Sequence, residues 1–500
     1  MTILSTALFD KPAFKNVIVN GLVLAEDGKK MSKSKKNYPD PMLIINQYGA
    51  DALRLYLINS PAVRAEPLKF KEADVKKVLK DVFLPWFNAF RFFVENTKKW
   101  ERDFDCAFVY DESVAKKSTN IMDRWILSSI NSLVSFVRKE MESYRLYTVL
   151  HGLIKFIENL TNWYIRFNRK RLRGNGDNGE KLSREETLEA LTTLCYVHLK
   201  LVLVMAPASP FFSEYVYQNI KNVLPKNAQK ESVHHCYIPE PDDSFINQDV
   251  EQDISLLMRI VELGRVIRTT KDLALKLPLD KFVVVHSSQN HLDRLKPLES
   301  YIYSELNIKQ LVLTSQQEDF IKLSAKLDNK RCGARFKGDM SNASKEVANW
   351  NNERVQQFLN EGKATLFGKE VEGEDVIVFR QFIGDEKKQV AQFDDNVLVV
   401  MDIMVDEEQK REFNVRIVAN KVQKLRKAAN IHPKDPIHVY FTLPKGALFD
   451  LLNEKIQILN DTIQKPLFIV DKSDIKNPVN GGNESLSLMG AQLNIDLCWD

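Results

Sequence analysis

Residues 74–99 read DVKKVLKDVFLPWFNAFRFFVENTKK, and this stretch decides the fold class of the first half of the chain. Its apolar residues recur every three or four positions, the spacing of one face of an α-helix. We expect a kink at Pro85, because proline cannot donate a backbone hydrogen bond inside a helix. The same periodicity recurs over residues 120–144, 148–173, 183–205 and 212–224, and Ser183 with Glu186 forms a capping-box pattern. Long helices joined by short connections predict an α-helical bundle over residues 71–225.

Residues 226–500 alternate between helical and strand-like patterns, which is typical of an α+β arrangement. The predicted helices cover residues 252–271, 301–306 and 412–429, and the predicted strands cover residues 281–286, 309–313 and 437–441. An Asn- and Gly-rich loop is expected over residues 477–485, before a final strand. Pro278 and Pro433 each link a helix to a strand and are 155 residues apart. An internal duplication is therefore a hypothesis, although the two segments share little sequence.

The composition is that of a globular protein of 500 residues, with 44% hydrophobic and 28% charged residues, and it excludes a mainly disordered chain. The net charge of +4 does not by itself indicate a nucleic-acid partner, so any RNA-binding surface must come from local clustering of cations. No apolar run reaches the ~20 residues of a membrane-spanning helix. The N-terminus lacks the features of a secretory signal or a mitochondrial presequence. We therefore expect a cytoplasmic protein without membrane contact.

The five cysteines are widely spaced and include no Cys-x-x-Cys pair, which indicates neither a zinc knuckle nor a disulfide framework and favours a reducing compartment. His234, His235 and Cys236 are adjacent, but neighbouring side chains on an extended chain point to opposite faces, so no metal site is predicted there. Cys332 lies among cations that could lower its pKa. We expect an ordinary half-buried residue instead.

A polar loop follows two strand-like runs, residues 16–20 and 21–25, and consists of Lys30, Met31, Ser32, Lys33 and Ser34. Two predicted helices, residues 41–48 and 50–59, come after it. At the end of a strand in an α/β domain such a loop can handle phosphates, because lysine supplies a mobile charge and serine supplies hydroxyl donors. The alternative is a solvated basic loop, or a basic import signal continued by Lys35 and Lys36.

Aromatic and basic side chains alternate over residues 163–173, where five of the eight residues from 166 to 173 are basic. This mixture suits contact with an RNA backbone and stacking on bases. The alternative is a helix end whose cations complement the helix dipole, with Trp163 and Phe167 packed into the bundle. A second basic segment either contacts RNA or forms a solvated face; its cations are Lys421, Lys424, Arg426 and Lys427.

The loop sequence Lys-Met-Ser-Lys-Ser resembles the second signature of the class I aminoacyl-tRNA synthetases, and residues 40–57 are also similar to that class. Three further segments, residues 63–70, 162–174 and 422–430, resemble the isoleucyl enzymes of the eukaryotic cytoplasm. The first class signature, His-x-Gly-His, is absent from the chain. The resemblance is therefore to a C-terminal portion. It implies the end of a Rossmann-type α/β catalytic domain over residues 1–70, then an anticodon-binding bundle over 71–225, then a smaller α+β tRNA-binding extension over 226–500.

The resemblance implies an isoleucine–tRNA ligase, which joins isoleucine to ATP as an adenylate and then transfers the acyl group to tRNA in protein biosynthesis. Lys33 would be the catalytic residue that stabilises phosphate charge, and the ATP-binding loop would comprise Lys30, Met31, Ser32, Lys33 and Ser34. Magnesium would accompany ATP, with no structural metal. The tRNA contacts would come from Trp163, Arg166, Asn168, Arg169, Lys170, Arg171 and Arg173.

Two alternatives to this function remain at the level of sequence. One is a non-catalytic tRNA-binding or interaction protein derived from a synthetase, and the other is a ligase for another branched-chain amino acid, such as valine. We expect the chain by itself to be inactive in adenylate formation, because the first signature and much of the nucleotide-binding fold are missing. The resemblance also implies that the editing domain is missing. Protein partners beyond tRNA, including other synthetases, are left open.

Overall fold

The computed structural model describes residues 1–32, 34–35, 37–176, 179–394, 397–432, 435–470, 475 and 477–500. Within it the chain forms two compact units, residues Met1–Ile254 and Ser255–Asp500. The second unit therefore makes up about half of the chain. The finer boundaries at residues 70 and 225 stay a prediction.

The first unit consists mainly of helices. These are α1 (Thr2–Phe9), α2 (Pro41–Tyr48), α3 (Ala50–Ile58), α4 (Glu72–Val78), α5 (Leu84–Phe104), α6 (Glu112–Lys116), α7 (Ile121–Glu142), α8 (Leu146–Asn159), α9 (Ile165–Phe167), α10 (Arg169–Leu172), α11 (Arg184–Met205) and α12 (Pro210–Ile220). Two short strands, β1 (Val23–Leu24) and β2 (Leu68–Lys69), pair in parallel. The strand predicted over residues 16–20 is wrong: this segment is not in a ladder with any described residue, and Val17, Ile18 and Val19 are exposed.

Two of the predicted bundle helices contain a π-helical turn. The helix predicted over residues 74–99 changes to a π turn at Leu79–Phe83, immediately before Pro85, because the proline ring cannot take part in a regular α-helical ladder. The helix predicted over residues 148–173 changes to a π turn at Leu160–Tyr164 and is interrupted again at Asn168. Each irregularity re-aims the residues that follow it.

Helix α11 is the central helix of the bundle. It is apolar on most of its circumference, so it must be buried on all sides, and it contacts α5, α6, α7 and α12. The predicted capping box is confirmed: Ser183 and Glu186 each accept a hydrogen bond from the other's backbone N–H. Among the described residues this is the helix with the length and apolar composition to cross a membrane, and 72% of its most apolar window is buried in the structure, as in a core helix.

The second unit contains two four-stranded sheets. Its helices are α13 (Gln248–Thr270), whose first seven residues belong to the first unit, α14 (Gln289–Leu295), α15 (Glu299–Leu306), α16 (Asn329–Phe336), α17 (Met340–Ala348), α18 (Asn352–Glu361), α19 (Glu407–Ala428), α20 (Ala447–Glu454) and α21 (Ile456–Ile463). Its strands are β3 (Leu279–His286), β4 (Ile308–Thr314), β5 (Ile321–Leu327), β6 (Lys363–Leu366), β7 (Lys369–Glu372), β8 (Val376–Phe382), β9 (Gln389–Phe393), β10 (Val397–Asp402), β11 (Ile437–Thr442), β12 (Leu467–Ile469), β13 (Pro478–Leu488) and β14 (Ala491–Trp499).

The two sheets share one topology, β4-β3-β10-β9 and β12-β11-β14-β13. In both, the second strand pairs in parallel with the first and antiparallel with the third. Val284 pairs with Leu313 and Val399, and Val439 pairs with Leu467 and Leu497, so each is paired on both sides in the second strand of its sheet. They are 155 residues apart. The topology therefore supports the duplication, although Pro433, which suggested it, lies outside the described residues.

An insertion distinguishes the first copy from the second. Residues between β4 and β9 form α16–α18 and the pairs β5–β8 and β6–β7, and their core packs on Val283 and Val285 of β3. The equivalent residues of β11, His438 and Tyr440, remain partly exposed. This explains why residues 282–285 of β3 are continuously apolar and buried on both faces, whereas β11 alternates.

The loop predicted over residues 477–485 is wrong, since most of it belongs to β13. This strand pairs with β14, and the register shifts between Pro478 and Asn483. The shift is a bulge around Gly481 and Gly482, where glycine suits the irregular backbone. The same glycines made the segment resemble a loop in sequence.

Candidate phosphate loop and nucleic-acid interface

The polar loop begins as a tight turn after β1. The backbone N–H of Gly28 donates to the carbonyl of Ala25 over 2.8 Å, and Ala25 donates to Lys29 over 2.9 Å. Gly28 has a φ of 81°, a conformation that residues with a Cβ adopt rarely. Lys30 then forms a bridge with Leu24. The turn thus fixes the point at which the signature loop leaves β1.

Asn37 closes the signature loop from within. Its Oδ1 accepts from the backbone N–H of Ser32 over 2.9 Å, and its Nδ2 donates to the carbonyl of Lys30 over 3.1 Å. The hydroxyls of Ser32 and Ser34 are 2.8 Å apart. Lys30 and Ser34 are exposed, and Met31 and Ser32 are half-buried. Lys33, the predicted catalytic residue, lies outside the described residues.

The basic run at the end of the bundle divides into two sets. Arg166, Arg169, Lys170 and Arg173 are exposed. The guanidinium carbons of Arg169 and Arg173 each lie 5.7 Å from the centre of the Phe92 ring on α5, within cation–π distance. Lys99, about two helical turns after Phe92 on α5, donates to the carbonyl of Arg173. Two guanidinium groups are therefore held over one aromatic ring on an exposed surface, a contact with Phe92 that sequence periodicity did not reveal.

The other predicted tRNA contacts point into the protein. Trp163 is 3% exposed and packs edge-on against Phe167, with ring centres 5.6 Å apart. Asn168 is buried and donates through Nδ2 to the carbonyl of Tyr164 over 3.0 Å. The Arg171 side chain is 17% exposed. The structure places these three side chains where they stabilise the bundle end, and they do not form one surface with the four exposed cations.

Arg171 belongs to a buried network of polar side chains. Its Nη1 donates to Oδ2 of Asp123 over 2.7 Å, and its Nη2 donates to Oε1 of Glu189 over 2.8 Å. The Tyr164 hydroxyl donates to Oδ1 of Asp123 over 2.8 Å. The Ser118 hydroxyl, which has one proton to donate, lies 2.9 Å from Oδ2 of Asp123 and 2.6 Å from Oε1 of Glu189. Burial, with the negative charge of Asp123, raises the pKa of Tyr164 well above its usual value, so this hydroxyl stays a donor. The network joins α7, α10 and α11.

The histidine pair and Cys332, which the sequence singled out, do not form a metal or reactive site among the described residues. His234 and His235 are exposed on a 3-10 turn, Val233–His235, rather than on an extended chain. In the described part of the chain, no three His, Cys, Asp or Glu side chains are grouped to hold a metal. Cys332 is fully buried rather than half-buried. Its pKa is raised by burial and by Asp375, and the nearby cations do not reverse this.

The basic segment on α19 is partly occupied by contacts within its own unit. Lys421 donates to Glu484, and Arg426 donates through Nη1 to the carbonyl of Ile463 over 3.3 Å. Lys424 and Lys427 are exposed. Two of the four cations therefore remain directed to solvent.

Both sites lie in regions of the chain that match known protein families. The family model for class I tRNA synthetases (I, L, M and V) matches residues 1–69, which include the polar loop. The model for the anticodon-binding domain of tRNA ligases matches residues 123–283, which include the basic run. Both regions therefore resemble parts of tRNA ligases.

Three proteins similar to nearly the whole chain are all isoleucine–tRNA ligases. The chain is 44% identical to the probable cytoplasmic isoleucine–tRNA ligase of Dictyostelium discoideum, covering 96% of this chain and 44% of that protein. It is 46% identical to the cytoplasmic isoleucine–tRNA ligase of Caenorhabditis elegans, covering 89% and 38%. It is 41% identical to the cytoplasmic isoleucine–tRNA ligase of Mus musculus, covering 99% and 40%. The chain thus spans less than half the length of these relatives.

Proposed function

We propose that this chain is the C-terminal portion of a cytoplasmic isoleucine–tRNA ligase and that it binds tRNA through the exposed basic end of its helical bundle. The observation that carries the proposal is the similarity to isoleucine–tRNA ligases along nearly the whole chain, together with four exposed cations in the segment matched by the anticodon-binding model. In the complete protein, isoleucine and ATP would give an adenylate and pyrophosphate, and the acyl group would pass to tRNA.

Arg166, Arg169, Lys170 and Arg173 have the chemistry of an RNA contact. Guanidinium groups pair with phosphates through two parallel hydrogen bonds, and a guanidinium plane or an aromatic ring offers a stacking surface to a base. Phe92 supports this surface by holding Arg169 and Arg173 side by side. A backbone contact by these side chains requires no movement of the buried network beneath them.

The signature loop has the chemistry of a phosphate contact. Lys30 and Lys33 would supply mobile positive charge to the ATP phosphates, and Ser32 and Ser34 would supply hydroxyl donors. Asn37 holds the first part of the loop in shape by bonding to the backbone at Lys30 and Ser32. Magnesium would arrive with the ATP phosphates and would neutralise the charge that develops on pyrophosphate. Oxygen ligands of this kind, phosphate and water, are those magnesium prefers.

A non-catalytic tRNA-binding protein would use the same RNA surface. It would differ only in that its signature loop would not act on ATP. The alternative of a valine enzyme is disfavoured because the similar proteins named above are isoleucine–tRNA ligases.

The test is filter binding of isoleucine-accepting and valine-accepting tRNA transcripts to the 500-residue chain, over a series of salt concentrations. We expect the isoleucine transcript to bind more tightly, with affinity that falls as salt rises because counterions are released from phosphates. Equal binding of both transcripts would contradict isoleucine specificity in this part of the protein. Absence of salt-sensitive binding to either would contradict the tRNA-binding proposal.

A further inference from the structure

A cavity of about 450 Å³ lies beside helix α11, within the first unit. Its walls come from the start of α6 and the segment before it, the second half of α11, helix α12, and the residues that follow α12. The backbone N–H of Tyr110 donates to the carbonyl of Val223 over 2.9 Å and so joins the first of these walls to the last. The volume suits a small molecule, since ligand pockets span about 300–1,000 Å³.

Helix α11 is buried along its second half except where it meets the cavity. Over residues 190–206 every side chain is buried apart from Leu199, Lys200 and Leu203, which are half-buried and line the cavity. Lys200 is also the only Lys, Arg, Asp or Glu in this stretch. An apolar residue would continue the helix pattern without removing water from an ammonium group. Packing alone therefore does not account for a lysine at this position.

The Lys200 ammonium has unused hydrogen-bond donors. Its Nζ donates to the carbonyl of Glu240 over 3.1 Å and lies 5.4 Å from the centre of the Tyr196 ring, within cation–π distance. An ammonium has three N–H donors, and within the described part of the chain Lys200 forms this one hydrogen bond. Burial lowers the pKa of Lys200, although nearby carboxylates favour its charged form. An acceptor group on a ligand would engage the two remaining donors.

The Tyr110 hydroxyl is a second donor at the cavity. Tyr110 lines the cavity and is 9% exposed, and no described residue forms a hydrogen bond with its hydroxyl. Burial raises the pKa of this group, so it stays protonated and can donate. Lys200 and Tyr110 together offer the kind of donors that a carboxylate accepts.

Two carboxylates of the protein also line the cavity, those of Asp111 and Glu112. Oε1 of Glu112 lies 3.2 Å from Nζ of Lys116, and Oε2 has no hydrogen-bond partner among the described residues. These carboxylates would repel a ligand with only a negative charge, and Lys200 would repel a ligand with only a positive charge. A ligand that carries both charges therefore matches the cavity.

We propose that this cavity binds a free α-amino acid with an apolar side chain. Lys200 and Tyr110 hold its carboxylate, and Glu112 holds its ammonium. The side chain of the ligand lies against the apolar part of the lining, which comprises Leu199, Leu203, Leu224, Tyr196 and Tyr217. No residue of the signature loop or of the basic run is among the described residues that line the cavity, so the site is independent of the function proposed above.

The experiment is equilibrium dialysis of radiolabelled L-isoleucine and L-phenylalanine against the 500-residue chain. Two further probes each lack one charge: 3-phenylpropanoate has no ammonium, and 2-phenylethylamine has no carboxylate. The variants are Lys200→Met and Glu112→Gln, which nearly keep the length of each side chain. The matched control is Lys155→Met, because Lys155 is exposed on α8 and pairs with Glu158 at 3.0 Å. Circular dichroism establishes that each variant is folded.

We expect saturable binding of at least one of the two amino acids, with a Kd of about 1 mM or below, and weaker binding of both further probes. Lys200→Met should weaken amino-acid binding by about tenfold or more, because the ligand carboxylate loses its cation. Lys155→Met should leave binding unchanged. Glu112→Gln should weaken binding of the amino acid but not of 3-phenylpropanoate, which has no ammonium. A change in packing alone would weaken both ligands alike.

Three results would overturn the proposal. The first is no saturable binding of either amino acid, and the second is equal affinity of Lys200→Met and the unmodified chain. The third is equal binding of L-phenylalanine and 3-phenylpropanoate, which would show that the ammonium is not recognised. If Lys200→Met does not fold, Tyr110→Phe replaces it, and it should weaken amino-acid binding by about threefold through loss of one hydrogen bond; unchanged affinity in that variant would count against the site.

Discussion

Asp123 and Arg171 form an ion pair inside the helical bundle, with Oδ2 of Asp123 2.7 Å from Nη1 of Arg171 and Asp123 wholly inaccessible to solvent. The pair lies under the basic surface that we assign to tRNA. Arg171 therefore differs in role from Arg169 and Arg173, although all three belong to one short run of sequence. Its guanidinium forms ion pairs with Asp123 and Glu189, and these buried pairs support the exposed cations above them.

Replacing Arg171 by Met should destabilise the first unit by about 3–5 kcal/mol, because it leaves the buried Asp123 carboxylate without its cation. Replacing the exposed Arg169 by Ala should change stability by about 1 kcal/mol or less. Urea unfolding followed by tryptophan fluorescence measures both. Similar stabilities for the two variants would contradict the structural role of Arg171. An Arg169–Lys170–Arg171 triple replacement therefore cannot serve as a clean test of RNA contact.

Replacing Arg169 and Arg173 together by Ala should weaken tRNA binding while the fold is retained. Each lost phosphate contact should reduce the slope of log affinity against log salt by roughly 0.7–0.9. Lys155→Ala is the control, since Lys155 is an exposed cation of the same bundle paired with Glu158 at 3.0 Å. Filter binding gives the slopes. If the double variant and the control have equal slopes, the RNA surface must be sought at Lys424 and Lys427.

Phe92→Leu should weaken tRNA binding less than the double arginine replacement and should leave the salt slope unchanged. The aromatic ring carries no charge, but it holds the guanidinium groups of Arg169 and Arg173 in place. Loss of cation–π contacts at an exposed site costs about 0.5–1 kcal/mol each. A reduced salt slope in this variant would show that the ring determines how many phosphates are contacted, which contradicts the expectation.

In the complete protein, Lys33→Ala should slow adenylate formation by about 10²–10³, the usual effect of removing one stabiliser of developing charge. Asn37→Ala should also slow this step, because the backbone at Lys30 and Ser32 loses its internal support. Affinity for tRNA should stay unchanged in both. Pre-steady-state measurement of adenylate separates these effects, and a normal rate in Lys33→Ala would refute the assignment of this residue.

His198 should make the stability of the bundle depend on pH. It is buried in α11 against Phe90 and Phe93, and burial lowers its pKa from 6.5 to about 4. The unfolded chain therefore binds a proton that the folded chain does not between these values. Stability contributed by neutral His198 is present above pH 6.5 and is lost as the pH falls toward 4, by roughly 3 kcal/mol at most.

The variant His198→Leu should remove that part of the pH dependence, whatever its effect on stability at pH 7. The control is His151→Leu, because His151 is exposed. Unfolding free energies at pH 4.5, 5.5 and 7, expressed relative to the unmodified chain, measure the difference. A difference that stays constant with pH for His198→Leu would show that the folded protein accommodates the imidazolium.

Sequence periodicity located the bundle helices because burial of one helix face leaves a repeat of 3.6 residues. It could not locate the π turns at Leu79–Phe83 and Leu160–Tyr164, since one extra residue per turn shifts the apolar pattern too little to read. The strand at Pro478–Leu488 was missed because its glycines have the composition of a loop, and pairing with β14 overrides that local preference.

The sites show a similar limit. The signature loop was found because its five residues are contiguous, whereas Asn37 acts through contacts with the backbone that leave no sequence pattern. Arg169 and Arg171 are two positions apart, or about 200° around a helix, so they face opposite directions. That angle was available from sequence alone. The partner of Arg171, Asp123, lies 48 residues away and could not have been identified from spacing.

The repeated sheet topology has a consequence for synthesis on the ribosome. In each sheet the third strand, β10 or β14, is the last of the four to be synthesised. In the first sheet, β10 follows β3 after about 110 residues, which take roughly 5–22 s to translate. A second copy of the β3 type emerging in that interval would compete for β10. The chain avoids this competition, because β10 is complete at Asp402 and β11 begins only at Ile437. The order of translation thus keeps two similar sheets from exchanging strands.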